Sequence, residues 1–201
     1  MNRTATELER DRDDGSRAEA ILVRRAQAGD TRAFGELVTI YMQRCYYAAL
    51  GLVGTPQDAE DLSQEAFARA FKARARLDPD RPFYPWLYQI LRRLCFNFTR
   101  DISARRRKME QAGGWLVDEA RSRASVENPE RARARSELRS RLEAAIAELP
   151  EAQREALVLK EFLGLKYREI AELLDVPMGT VMSRLYAARQ RLAAELEDSH
   201  E

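Results

Sequence analysis

Apolar positions along the chain recur at helical spacing, and no stretch alternates as a strand would. From Ala18 the positions Ile21, Leu22 and Ala26 keep that period, and Ala28-Gly29-Asp30-Thr31 closes the segment and opens the next, with Asp30 or Thr31 placed to cap it. The following segment carries Phe34, Leu37, Val38, Tyr41, Cys45 and Ala48 on one side and stops near Leu52-Val53-Gly54. Thr55-Pro56-Gln57-Asp58 is a strong helix start: a hydroxyl at the N-cap, a proline where its missing N–H costs nothing, and a carboxylate near the free amides. Downstream, Ala59, Leu62, Ala66 and Ala70 make a small apolar seam, and Leu77-Asp78-Pro79-Asp80 has the composition of a turn. Another helix starts at or near Pro85, with Trp86, Ile90 and Leu94 on one side and Leu87, Leu91 and Cys95 flanking them. This phasing makes Trp86 a core residue and leaves Phe83, Tyr84 and Tyr88 free to be exposed.

The pattern lapses twice. Residues 1–17 are polar and mixed in charge, offering little to bury against the entropy of ordering, and read as a disordered leader. Residues 102–135 read as a flexible linker: Arg105-Arg106-Arg107-Lys108 is a basic cluster, Gly113-Gly114 interrupts, and Trp115-Leu116-Val117 is the only hydrophobic knot. Beyond it Leu138, Leu142, Ile146 and Leu149 form a stripe, and Pro150 sits where the next helix begins. In EAQREALVLKEFLG the positions Ala156, Leu157, Leu159 and Phe162 are expected inside, with Gly164 suited to a left-handed C-cap. Then come YREIAELL, the break Asp175-Val176-Pro177-Met178-Gly179, and TVMSRLYAARQRLAAEL, the pattern of a helix-turn-helix held by Ile170, Ala171, Leu174, Val176, Val181 and Leu185. The fold class is therefore all-α, with two small helical domains over 18–101 and 136–197 joined by the linker.

Composition narrows the function. In 201 residues, 34 Lys and Arg face 33 Asp and Glu, a net charge of +1, so nucleic-acid contact has to come from local patches. Two windows depart from this balance. Arg81–Arg100 holds six aromatics and four arginines without an acid, a mixture that can stack on unpaired bases and meet phosphates. Val176–Ala194 is acid-free and bears Arg184, Arg189 and Arg191, where a solvated surface helix would mix its charges. After Pro56, the residues Asp58, Asp61 and Glu65 fall at spacings of three and four and form an acidic strip, either a solvated face or a docking surface for a basic partner. Cys45, Cys95 and His200 have no metal-ligand or disulfide spacing, and no cofactor is implied. An enzyme acting on nucleic acid lacks a Gly-rich phosphate loop and a usable His. A redox sensor through Cys45 and Cys95 is disfavoured because both lie on faces that read as buried. The lack of a signal core or an apolar run of membrane-spanning length argues for a cytoplasmic protein without membrane insertion.

Taken in order, LVRRAQAGDTRAFGELVTIY, DAEDLSQEAFARAF, FYPWLYQILRRL, a variable linker ending in NPE, and LPEAQREALVLKEFLGLKYREIAELLDVPMGTVMSRLYAARQRL resemble the extracytoplasmic-function (ECF) sigma factors, the sigma-E-like two-domain members of the sigma-70 family. The likeness runs from about Ala20 to Leu196. It implies a protein without catalytic activity that binds RNA polymerase core, recognises the −10 and −35 promoter elements and helps melt DNA. By that resemblance Asp58, Asp61, Leu62, Gln64 and Glu65 dock on the polymerase; Phe83, Tyr84, Tyr88, Arg92 and Arg93 grip the −10 element; and Thr180, Ser183, Arg184, Tyr186 and Arg189 read the −35 element. It further implies an anti-sigma factor as partner. Lys166 stands where relatives usually cap a helix with Ser or Thr, so a cap is expected to be missing there. The rival reading is a stand-alone helix-turn-helix transcriptional regulator.

Overall fold

The computed structural model describes residues 5–111 and 141–197, and among them every regular element is helical. Four long helices come first: α1 (Ala5–Gln27), α2 (Thr31–Val53), α3 (Pro56–Lys72) and α4 (Phe83–Gln111), with a single 3₁₀ turn at Arg74–Arg76. After them come α5 over residues 141–148, α6 (Glu151–Leu157), which passes into a π turn at Val158–Phe162, α7 (Tyr167–Leu174) and α8 (Met178–Glu197). Contacts divide the chain into two units. One holds α1, α2 up to Leu50, α3 and α4 up to Cys95; the other holds residues 51–54, the rest of α4 and α5 to α8.

Local chemistry explains most of the boundaries. The Asp30 carboxylate accepts the backbone N–H groups of Arg32 (2.9 Å) and Ala33 (3.1 Å), the N-cap of α2, and is gripped from α1 by Arg25 at 2.7 Å. The Ala33 amide, followed by Arg25, holds this carboxyl below its ordinary value. Thr55 and Pro56 do open α3, but the Thr55 hydroxyl donates to the Asp58 carboxylate instead of accepting a backbone amide. Lys166 is less of a gap than expected, because the Glu169 carboxylate reaches back to accept its backbone N–H at 2.7 Å, half of a capping box. Asp175 ends α7 with φ 53°, a left-handed conformation that Asp tolerates better than most residues.

The first unit is built around aromatic rings. Phe34 of α2 meets Phe71 at 5.1 Å and Phe83 at 6.2 Å, while Tyr41 lies 5.5 Å from Phe83 and 5.7 Å from Tyr84. On α4 the buried line is Tyr84, Leu87, Tyr88, Leu91, Leu94 and Cys95, a three-and-four spacing. On α3 it is Ala59, Ser63, Ala66, Phe67 and Ala70, with Leu62 only partly buried; the Ser63 hydroxyl is satisfied by the Glu60 carbonyl at 2.9 Å.

Glu19 of α1 binds two of these elements. Its carboxylate accepts the Tyr41 hydroxyl of α2 and, at 2.8 Å, the Phe83 N–H that opens α4, one of the amides a helix cannot satisfy internally.

The second unit packs α6 and α7 against α8. Leu149, Leu157 and Ala188 form a buried cluster with Ile146 and Leu192 against it, and Ile170, Leu173, Val181 and Leu185 are also buried.

Several expectations are corrected. The helix expected from Ala18 reaches back to Ala5, through most of the supposed leader. Residues 102–111 continue α4 and are not linker; without Gly or Pro, nothing in that stretch stops a helix. Phe162 is 45% exposed instead of buried, because the π turn rotates it out of the helical phase, and Leu142 is exposed too. Leu138 and the knot Trp115–Val117 lie outside the described residues.

Candidate functional site

The acidic strip on α3 has the expected register and unequal members. Asp58 is partly buried beside Thr55. Asp61 is exposed and, among the described residues, makes no ion pair. Glu65 is exposed and bonded to Arg69 at 2.7 Å, which lowers its pKa chiefly through that hydrogen bond. Gln64 is exposed and Leu62 half-buried. Gln64 also lines a cleft of about 650 Å³ between α3 and α2, whose walls include Val38, Met42, Tyr46, Tyr47 and Phe67. Sequence reasoning missed the α2 side of this surface. Its signal was a second apolar row, Val38, Met42 and Tyr46 at steps of four, beside the buried one.

On α4 the expected exposure is overturned. Phe83, Tyr84 and Tyr88 are 1%, 3% and 0% exposed, while Trp86, expected in the core, is partly exposed. The helical phase is shifted by about one position, since both 86/90 and 87/91 carry apolar side chains and the rings of α2 attract one set. Tyr84 is held further by the Arg44 guanidinium, 3.8 Å above its ring, and burial pushes its hydroxyl pKa up. These rings cannot stack on unpaired bases from where they stand. The outward side of α4 offers Arg93, exposed, with Arg92 and Trp86 partly so.

α8 turns Val181, Leu185 and Ala188 inward, leaving an exposed side that carries Met178, Met182, Ser183 and Tyr186, the last 68% exposed. Thr180 and Arg184 are partly buried, and the Ser183 hydroxyl donates to the Thr180 carbonyl at 3.0 Å. Arg189 is already engaged: it pairs with Glu161 of the π turn at 2.7 Å, and its pKa is raised by that bond and by one to Tyr167. Of the five residues proposed for the −35 element, Ser183 and Tyr186 thus stand exposed, Thr180 and Arg184 are partly buried, and Arg189 is tied to Glu161.

Cys45 and Cys95 are both buried. Burial, and secondarily Cys95, pushes the Cys45 thiol up to about 12, an inert setting. No helix among the described residues is long and apolar enough to cross a membrane.

Comparison with known proteins matches this arrangement at both ends. Residues 37–106 match the model for sigma-70 region 2, and residues 139–192 match that for sigma-70 region 4. The RNA polymerase sigma-H factor of Pseudomonas aeruginosa is 37% identical over 185 residues, covering 88% of this chain and 92% of that one. The ECF RNA polymerase sigma-E factor of Escherichia coli K12 is 35% identical over 182 residues, covering 86% and 91%. Among solved structures, CnrH in complex with the cytosolic domain of CnrY has a TM-score of 0.64 at 28% identity, covering 90% of this chain and 99% of that one. RpoE of Bartonella quintana, solved with the anti-sigma factor NepR, shares the fold at a TM-score of 0.59 and 23% identity, over 84% of this chain and 99% of that one. An acidic strip on one helical unit, a helix-turn-helix on the other and relatives that span nearly the whole chain lead to one conclusion: the protein belongs to the sigma-70 family as an ECF sigma factor, a non-enzymatic subunit that directs RNA polymerase to its promoters.

Proposed function

We propose that the division of labour follows the two units. The α3 strip of Asp58, Asp61 and Glu65, with Leu62, Gln64 and the adjoining cleft, docks on RNA polymerase core. Arg92 and Arg93 on α4 meet the −10 element, while α8 offers Thr180, Ser183, Arg184, Tyr186 and Arg189 to the −35 element. One observation carries this reading: an acidic face beside an apolar cleft in one unit, against an acid-free helix side in the other. Opposite surface characters suit a basic protein partner and a polyanion respectively. The buried Phe83, Tyr84 and Tyr88 support α4 from below and take no direct part.

An anti-sigma factor fits the same chain. CnrH is held by the cytosolic domain of CnrY, and the exposed Met42 and Tyr47 at the α2–α3 cleft would receive the apolar face of a partner helix. Action on DNA with the polymerase supports the reading that the protein works in the cytoplasm.

Transcription by purified core plus this protein from genomic DNA is expected to give discrete start sites; sequence-specific DNA binding without start sites would favour a stand-alone regulator. Asp61→Lys combined with Glu65→Lys should abolish co-purification with core while circular dichroism stays unchanged, since both side chains are exposed. Undiminished co-purification would remove the docking assignment.

A further inference from the structure

Met178, Met182 and Tyr186 stand four residues apart on α8, so they share one side over successive turns, and they are 50%, 47% and 68% exposed. A single exposed methionine needs no explanation. Three large apolar side chains in line on the second helix of a helix-turn-helix do, because that helix is the one laid into the major groove. Between Val176 and Ala194 there is no acid, and of the helix's arginines Arg189 shares the side of the row while Arg184 and Arg191 lie round the helix from it. That charge suits a polyanion and disfavours a basic or neutral face of a protein partner.

Within the row, Met178 and Met182 stand nearest the N-terminus of the helix, the end that meets base edges in this motif, and carry a thioether and no hydrogen-bond donor; Tyr186 alone has one. The other donors are turned away or engaged: Arg184 lies round the helix from Met182 and is partly buried, Ser183 donates to Thr180 and Arg189 to Glu161. An arginine would read guanine O6 and N7, whereas an apolar side chain has one distinctive partner in the major groove, the C5-methyl of thymine. Methionine suits such a contact because its flexible, polarisable side chain adapts to a small convex group.

Resting on the −35 assignment above, we propose that Met182, with Met178 one turn before it, reads thymine methyl groups, so that this sigma factor selects its upstream element by methyl contact at positions where an arginine would demand guanine.

The test uses the full chain bound to core polymerase. Promoter duplexes are first enriched from a randomised upstream region, and thymines in the enriched element are then replaced singly by deoxyuridine, which lacks only the methyl. Holoenzyme should bind at least one such duplex about fourfold less tightly, the equivalent of one buried methyl group. Met182→Ala should bind the thymine and uracil duplexes equally. Met182→Arg, renewed through the same enrichment, should move the preference at that position from thymine to guanine. Exposed Met182 tolerates both changes without loss of fold, which the melting curve checks. If uracil substitution costs nothing anywhere in the element, the methyl reading is overturned while the −35 assignment stands, and the row would then belong to a protein partner. If enrichment yields no upstream sequence at all, the −35 assignment itself falls and takes the methyl reading with it.

Discussion

α4 and α8 are made of similar material and use it in opposite ways. Each has a long acid-free stretch rich in large apolar residues and arginine. α4 turns Tyr84, Leu87, Tyr88 and Leu91 into the unit and its outward side is mostly polar, whereas α8 buries Val181, Leu185 and Ala188 and leaves Met178, Met182 and Tyr186 in the open. The difference lies in the neighbours. Phe34 and Tyr41 of α2 supply rings to cover the α4 aromatics, while α6 and α7 cover a single side of α8. An acid-free aromatic window therefore marks a surface in need of a partner, and the fold itself can be that partner.

The sharpest way to break the comparison is to cut the same kind of side chain from both helices. Phe83→Ala or Tyr88→Ala should cost about 3–5 kcal/mol in urea unfolding, as for large buried rings generally, while Tyr186→Ala should change stability by less than about 0.5 kcal/mol. Equal costs would erase the distinction between an inward and an outward row.

Within α8, Arg184→Ala should weaken promoter binding by holoenzyme and reduce the slope of affinity against salt by about one unit. Arg189→Ala should do less, because its guanidinium must first leave Glu161; measuring both across a salt series separates them.

In the first unit, the Cys45 thiol, pushed up to about 12 by burial, holds almost no thiolate at neutral pH. Iodoacetamide should label it no faster than the unit opens, and the labelling rate should rise only with denaturant. Fast labelling of the native protein would show that the ring-packed core is loose.

The smallest effect belongs to Asp30. Its carboxyl is held below its ordinary value by the Ala33 amide and Arg25, so its contribution is complete above the normal carboxylate range and fades as pH falls through the lowered value. Asp30→Asn keeps a side-chain oxygen for the cap and loses only the exposed Arg25 pair, so it should lower the melting temperature slightly at neutral pH and by less in acid, the gap between the two curves closing on acidification.

Much of this architecture was legible because boundaries are local events. Asp30, Thr55-Pro56 and Gly164 announce helix ends through a side-chain acceptor, a missing N–H and a left-handed backbone, none of which needs a distant partner. The phase of α4 was not legible. Trp86 and Ile90 are as apolar as Leu87 and Leu91, so the choice between the two sides was made by Phe34 and Tyr41 across the unit. The run 102–111 was misread as linker because a basic cluster looks like solvated coil, although arginine and lysine are good helix formers. The acidic strip of α3 and the acid-free side of α8 follow from charge and register alone, whereas the cleft beside the strip needed the second apolar row of α2 to be set against α3. Arg189, one of the arginines assigned to the −35 element, has an acidic partner 28 positions away, which no local pattern encodes.

The double grip of Glu19 bears on how this sigma factor can be shortened. A chain that begins after residue 19 loses the acceptor for the first amide of α4 and the partner of the Tyr41 hydroxyl at once, so the practical limit for N-terminal trimming lies upstream of Glu19, at the edge of the segment that composition alone would discard.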